Sequence, residues 1–355
     1  MCAPSADLEL VTSAFDTADI ILSRAFGVRL EKAAAPTTPR GFERAVARLA
    51  VVLRGRAAPV ERSATRAMSD ALAVDWRELA PRARERAVVR AADLAREAGR
   101  DLPSRIRAAL ENAAVGVVES VRRESRLRQG LAIGTDFNAV DRRVIDHVAR
   151  SETNFVRDTF GRRVEDASVR ARAVVASGLE RGLGTEEIGR ELGAAMRTSI
   201  EGRSPFYWEV VASSFVGNGR TYAQMSAFAE AGLETYRWLS VMDQHTTPYC
   251  RFMNGRVFSV GSALEQFDAL DRLEDPQEVK NARPWAREAV NGETGASTLY
   301  VMKGGSRIVL AEGAAPERPD GVVSYRARVS DRELETLGVS LPPAHALCRS
   351  TCVST

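Results

Sequence analysis

Histidine is scarce in this chain of 355 residues, which contains three. Cysteine is hardly commoner, at four, and so few thiols over such a length exclude a disulfide-built framework. Lysine occurs only at Lys32, Lys280 and Lys303, so nearly all of the 50 basic side chains are arginines. The planar arginine fork suits phosphate and carboxylate better than lysine does. GC-rich coding produces the same bias, however, and a net charge of +3 implies no polyanion partner by itself. No stretch approaches the roughly 20 uninterrupted apolar residues that a membrane span requires, so no membrane partner is expected. The opening MCAPSADLELV has no basic segment followed by an apolar run. No secretory signal is therefore expected, and a cytosolic setting is the default. P-loop, GxGxxG and HExxH signatures are absent, as are repeats of solenoid length.

What is present reads as a globular protein: 45% of the residues are hydrophobic and 27% charged. A chain of this length accommodates two or three domains. Lys32 to Gly41 reads as a linker. After it, Phe42, Val46, Leu49 and Leu53 recur at helical spacing, and Ile106, Leu110, Ala113, Val117 and Val121 do the same. A third helix is predicted to start near Thr135 and Asp136, with Val140, Val144 and Val148 on its buried side. Thr185 is placed to cap a further helix carrying Glu186 and Glu187 in its first turn and Ile188, Leu192 and Met196 on its apolar side. Pro205 opens another helix that ends near Gly232. His147, among charges on its helix, reads as a surface residue.

Beyond Gly232 the texture changes. TYRWLSVM, GRVFSV, STLYVM, SRIVLAEG and GVVSYRARV are short, β-branched or aromatic, and are divided by turn residues. The expected fold is mainly α with a C-terminal α+β domain: a helical bundle followed by a small mixed domain with β-hairpins. The expected divisions are a helical region over 1–130, a helical region over 131–234, and the α+β domain over 235–355.

Two short stretches of that last domain, LSVMDQHTTPYC and LPPAHALCRSTC, hold two of the three histidines and three of the four cysteines. On an extended strand Asp243 and His245 share a side. Thr246, Thr247 and Pro248 then turn the chain, bringing Cys250 near its exit. Asn254-Gly255 signals a type I′ hairpin between residues 251–253 and the strand RVFSV. In the second stretch Pro342 and Pro343 enforce extended backbone, His345 and Cys348 are one tight turn apart, and Cys348 and Cys352 are again one turn apart. Cys250, His345 and Cys348 form a set of soft and borderline ligands of the kind zinc prefers, and His245 and Cys352 compete for the fourth position. Three other readings stay open. The thiols are plain buried cysteines, or they form a disulfide in an exported particle, or Cys250, His345 and Asp243 act as nucleophile, base and orienting acid. Cys2 reads as incidental.

DQHTTPYCRFMNGRVF followed by PPAHALCRS resembles the signature of the phage Mu F-like head morphogenesis family, the minor capsid proteins of tailed phages. Asp243, Thr246, Thr247, Cys250, Gly255, Val257 and Phe258 match its first half, and Pro342, Pro343, His345, Cys348 and Arg349 its second. Upstream, GLERGLGTEEIGREL and the helix that runs into TYRWLSV are similar to the family as well, so the resemblance spans roughly residues 140 to 352. His245 stands where the family usually has arginine, and Cys352 follows Cys348 by four residues where the family has two. Residues 264–338 lengthen the usual connection and contain a charged, helix-like part and three strand candidates. The resemblance implies a minor capsid or head morphogenesis protein of a phage, prophage or phage-like particle. It would act in procapsid assembly and contact the portal, the scaffold or major capsid protein, and packaged DNA. Its place would be the host cytoplasm during assembly and then the head interior or portal region. The two clusters would pin a hairpin to the terminal segment, without catalytic turnover, with zinc as the one expected cofactor. The alternative is a particle-delivered effector or metal-dependent hydrolase; a DNA-binding packaging factor is a third reading.

Overall fold

The computed structural model of the chain describes residues 36–202, 205–314 and 323–355. Cys2, Lys32 and the first part of the expected linker lie outside those residues, as do the first two residues of GVVSYRARV. The chain is mainly helical and ends in an α+β region, as expected. Among the described residues, no helix is long and apolar enough to cross a membrane.

Helices come first. They are α1 (Pro39–Ala71), α2 (Pro81–Ala98), α3 (Leu102–Leu127), α4 (Ala139–Glu180), α5 (Thr185–Ile200) and α6 (Pro205–Glu230). Helix α1 begins at Pro39, two residues before the expected linker ends at Gly41, and Phe42, Val46, Leu49 and Leu53 all lie on its buried side. In α3 the stripe holds at Ile106, Leu110, Val117 and Val121, but Ala114 is buried in place of Ala113. Helix α4 starts a few residues later than Thr135: Asn138 Oδ1 accepts the Asp141 N–H at 2.8 Å and so caps its first turn. Its Val144 and Val148 are buried and Val140 is half-buried. Thr185 is the first residue of α5 and not its cap. Gly184 holds the cap position, and its N–H donates to the Glu187 carboxylate at 2.9 Å.

The chain forms two compact units, each discontinuous in sequence. Of the described residues, one unit takes those within Leu49–Leu110 and Arg150–Glu209; the other takes those up to Arg48 and those within Glu111–Ala149 and Val210–Thr355. The expected divisions near 130 and 234 both fall inside stretches of the second unit. Long helices carry the chain from one unit into the next, so no composition shift marks the borders. In the all-helical unit, the Arg163 guanidinium reaches Glu61 at 2.5 Å in the core and lies over the Tyr207 ring. Gly99 leaves room for the Phe160 ring, which a Cβ there would meet at 2.2 Å.

The other unit carries the site. Its β1 (Thr235–Leu239) pairs antiparallel with β2 (Val257–Ser259) on one edge and β7 (Thr351–Ser354) on the other. Between β1 and β2 lies α7 (Pro248–Met253), and α8 (Val260–Asp271) and α9 (Pro276–Ala282) follow β2. A four-stranded antiparallel sheet comes next, in the order β3 (Arg287–Val290), β4 (Ser297–Lys303), β5 (Ser306–Gly313), β6 (Tyr325–Ala327). Then α10 (Asp331–Leu337) leads to the terminal stretch. Three of these four strands were predicted from sequence, and β3, reading REAV, was not. Helix α6 backs the region and is buried on nearly every side from Val210 to Phe228.

Candidate metal centre

The hairpin that leads into the site differs from its predicted form. Residues 251–253 are the end of helix α7, and β2 pairs with β1 through Tyr236 opposite Phe258. Asn254 has φ −58° and ψ 127°, Gly255 has φ +84°, and the Arg256 N–H donates to the Met253 carbonyl at 3.1 Å. These are the angles of a type II turn and not of a type I′ turn, which needs positive φ at both central residues. Asn254 earns its place by its side chain, whose Oδ1 accepts the Ser240 N–H at 2.9 Å.

Strand β1 stops at Leu239, so Asp243 and His245 lie on a turn and not on an extended segment. Asp243 Oδ1 accepts the His245 N–H at 2.9 Å, and the Asp243 N–H donates to Thr246 Oγ1 at 2.8 Å. This leaves the His245 ring exposed beside Gln244, away from the thiols. His245 therefore stands outside the group of converging ligand atoms. Thr247 caps α7 with Pro248 in its first turn, and its Oγ1 accepts the Cys250 N–H. That short helix buries Cys250 and Tyr249 together.

The terminal stretch arrives from the other side. The Pro342-Pro343 bond is cis. The Arg283 guanidinium donates to the carbonyls of Leu341 at 3.1 Å and Pro342 at 2.7 Å, and to Asn218 and Tyr222 of α6. Residues 345–347 turn, and Cys348 follows, fully buried. Cys352 does not continue that turn. It lies on β7 opposite Trp238, with its backbone clamped by Gln224, whose Nε2 donates to the Cys352 carbonyl at 2.8 Å.

Cys250 Sγ lies 3.2 Å from His345 Nε2 and 3.7 Å from Cys348 Sγ. The ligand atoms of these three residues all lie within 4.8 Å of one another, and neither Cys352 nor His245 belongs to the group. His345 Nδ1 is 2.7 Å from the Ala346 carbonyl and must donate to it, which leaves the Nε2 lone pair facing the sulfurs. Thr247 Oγ1 is 3.1 Å from the same Nε2. Cys250 is held as a thiol by its hydrogen bond to Cys348 and by burial. The Cys348 sulfur is favoured as a thiolate, because the Cys250 contact and then His345 outweigh its burial. Burial opposes charge on His345, yet its interaction with Cys348 moves its pKa upward. Two thiols and a correctly tautomerised imidazole, desolvated and converging, could hold a metal ion.

The nucleophile reading fails on orientation. Asp243 does not reach the imidazole; both its oxygens accept from Arg349 at 2.7 Å, which holds the carboxyl at about 2. The same ion pair gives Asp243 and Arg349 a structural role, since it ties the first stretch to the second. Tyr249 adds another tie through its hydroxyl to the Val339 carbonyl at 2.8 Å.

Arg220 entered the sequence reading only as the arginine of a helix similar to the family's, with no role given to it. It is fully buried on α6, lies over the Phe42 ring, and donates to the carbonyls of Pro36 and of Ser350, midway between Cys348 and Cys352. Burial draws its pKa down to about 10, while Cys348 and Cys352 are the groups that favour its charge. A lone arginine in a helix of small and apolar residues was the available signal. Nothing local in the sequence says which loop it would hold. Comparison with protein-family models, curated proteins and solved structures finds no match to this chain.

Proposed function

We propose that the chain is a minor capsid or head morphogenesis protein of a phage, prophage or phage-like particle. In this reading Cys250, His345 and Cys348 hold a structural zinc ion that fastens the β1–α7 segment to the terminal stretch. Zinc bound there would supply a crosslink between segments. The residues would contribute two thiolates, one imidazole nitrogen and a water-poor surround. The helices would face the portal, scaffold or major capsid protein, and packaged DNA is a further contact.

One observation carries the reading. The two halves of the sequence resemblance, 95 residues apart, meet at 3.2 Å between Cys250 and His345, the residues in which that resemblance is richest in chemistry. Metal analysis of the purified chain beside a thiol count after denaturation tests the zinc, with a stoichiometric ion as the expected result. Co-expression with a portal protein tests the partner. Retention on portal rings, lost on truncating the helices, is expected. A chain that never associates with portal or procapsid removes the capsid reading.

A second reading has its own support. Three protein ligands leave a tetrahedral ion one open position, which is the pattern of catalytic zinc and not of closed structural sites. Under that reading the chain is a metal-dependent hydrolase or a particle-delivered effector. Chelator-sensitive turnover of an ester or phosphodiester probe, abolished by His345→Ala in protein that remains folded, would favour it.

A further inference from the structure

Cys250 and Cys348 are the two sulfurs that the metal reading occupies, and they are also close enough to react with each other. At 3.7 Å, a shift of about 1.7 Å separates them from the roughly 2.05 Å of a disulfide bond. Neither residue is in a disulfide, and each sits on a short element: Cys250 in the six-residue helix α7, and Cys348 directly after the 345–347 turn. Cys352 is kept out of the pair by its place on β7 and the Gln224 clamp.

We propose that Cys250 and Cys348 form an oxidation site at which a bound metal and a disulfide are mutually exclusive fastenings of the same two segments. The exclusivity rests on the zinc reading above; the disulfide does not. With hydrogen peroxide as oxidant, two thiols give up two electrons and two protons, the S–S bond forms, the O–O bond breaks, and two waters leave. From the zinc-loaded state the two coordinated thiolates supply the electrons, solvent supplies the two protons, and Zn²⁺ departs with only the His345 imidazole left to hold it. Either fastening bridges the same separation of 98 residues, so the terminal stretch stays attached in both states. A metal clip suits a reducing cytosol, and a disulfide suits the oxidising surroundings that a released particle meets. Cys250 and Cys348 are 3% and 0% exposed, and His345 alone among the three is half-buried, so the reaction is slow and local.

The test uses the full chain carrying Cys2→Ser, which retains three of the four cysteines. Peroxide treatment of the metal-free protein should lower the denatured thiol count from three to one. Peptide mapping should then find a Cys250–Cys348 crosslink with Cys352 still reduced. In the zinc-loaded protein the same crosslink should form more slowly, and each one should release one zinc to a chromophoric chelator. Cys348→Ser should abolish both signals. Three intact thiols in the metal-free chain, or a crosslink that recruits Cys352, overturns the disulfide. Equal rates with and without zinc, or a crosslink that forms with zinc retained, overturns the exclusivity. A chain that binds no zinc but forms the crosslink sinks the metal reading alone. Following zinc release in the loaded protein keeps the outcome decisive even if the metal-free chain loses its fold.

Discussion

Arg122 is 3% exposed and sits between two acids, with Asp141 at 2.6 Å and Glu230 at 2.9 Å, while a second nitrogen donates to the Gly134 carbonyl at 2.9 Å. Asp141 is fully buried. Removing the arginine would strand that carboxylate without its counter-charge, so Arg122→Met should cost about 3–5 kcal/mol in denaturant unfolding. The double variant Arg122→Met with Asp141→Leu should recover much of the loss, because an apolar pair replaces a broken ionic one. Glu230 shows the pH consequence. The Arg122 hydrogen bond first, then those from Gly134 and Asn138, hold its carboxyl at about 2 against an ordinary 4.5. A depressed folded-state pKa contributes stability that is whole above pH 4.5 and is lost as pH falls toward 2. Glu230→Gln should therefore flatten the acid limb of the stability profile between those values, as measured by thermal unfolding across a pH series. His147 marks the limit of reading single residues. Its helical neighbours are charged, which suggested a surface position. Yet Asp271 lies 3.2 Å from its Nδ1, and the Tyr222 and Phe267 rings pack edge-on against it. Partners so far away in sequence leave no trace in local periodicity.

At the scale of elements, apolar stripes were legible because a helix with one buried face must repeat near 3.6 residues. Helix α6 was located for another reason: Pro205 at its start and Gly232 after it bound a long apolar run. Its burial on nearly all sides erases amphipathicity, so its polar residues could not be sorted by face. Gln224 and Arg220 turn out to hold β7 and the Ser350 backbone. The β1–β2 connection shows a turn dipeptide read correctly in place and wrongly in type. Asn-Gly does turn the chain, but the partner strand is β1, and a helix fills the intervening residues. Gly255 at φ +84° is the position that admits no Cβ without strain. Gly255→Ala should cost roughly 1–2 kcal/mol by the left-handed penalty, while Asn254→Gly, which deletes the bond to Ser240, should lower thermal stability without changing the turn. Gly217 is constrained by packing instead. A Cβ there meets the Pro343 ring at 3.0 Å, so a side chain at 217 requires that ring to give way by a few tenths of an ångström.

At the scale of the whole chain, the fastening of residues 240–254 to residues 339–352 decides the character of the second unit. Cys250 with His345, Asp243 with Arg349, and Tyr249 with the Val339 carbonyl are three separate ties between the same two stretches. If zinc joins them, a chelator should lower the melting temperature of the native protein. The ion's contribution would be about 4 kcal/mol where free zinc is on the order of a thousand times its Kd. His345→Ala should melt lower than the native protein and should not respond to the chelator at all. A variant equally heat-resistant and still chelator-sensitive would remove His345 from the site. By itself the sequence determined the helical majority, the change to strands after Gly232, and the choice of Cys250, His345 and Cys348. Periodicity, turn chemistry and ligand type are all properties of neighbouring residues. Tertiary structure alone decided that His245 and Cys352 stand outside the cluster, that Asp243 belongs to Arg349, and that the compact units interleave along the chain. Each depends on where a turn, a ladder register or a long helix sends the backbone, and local residue order does not encode those directions.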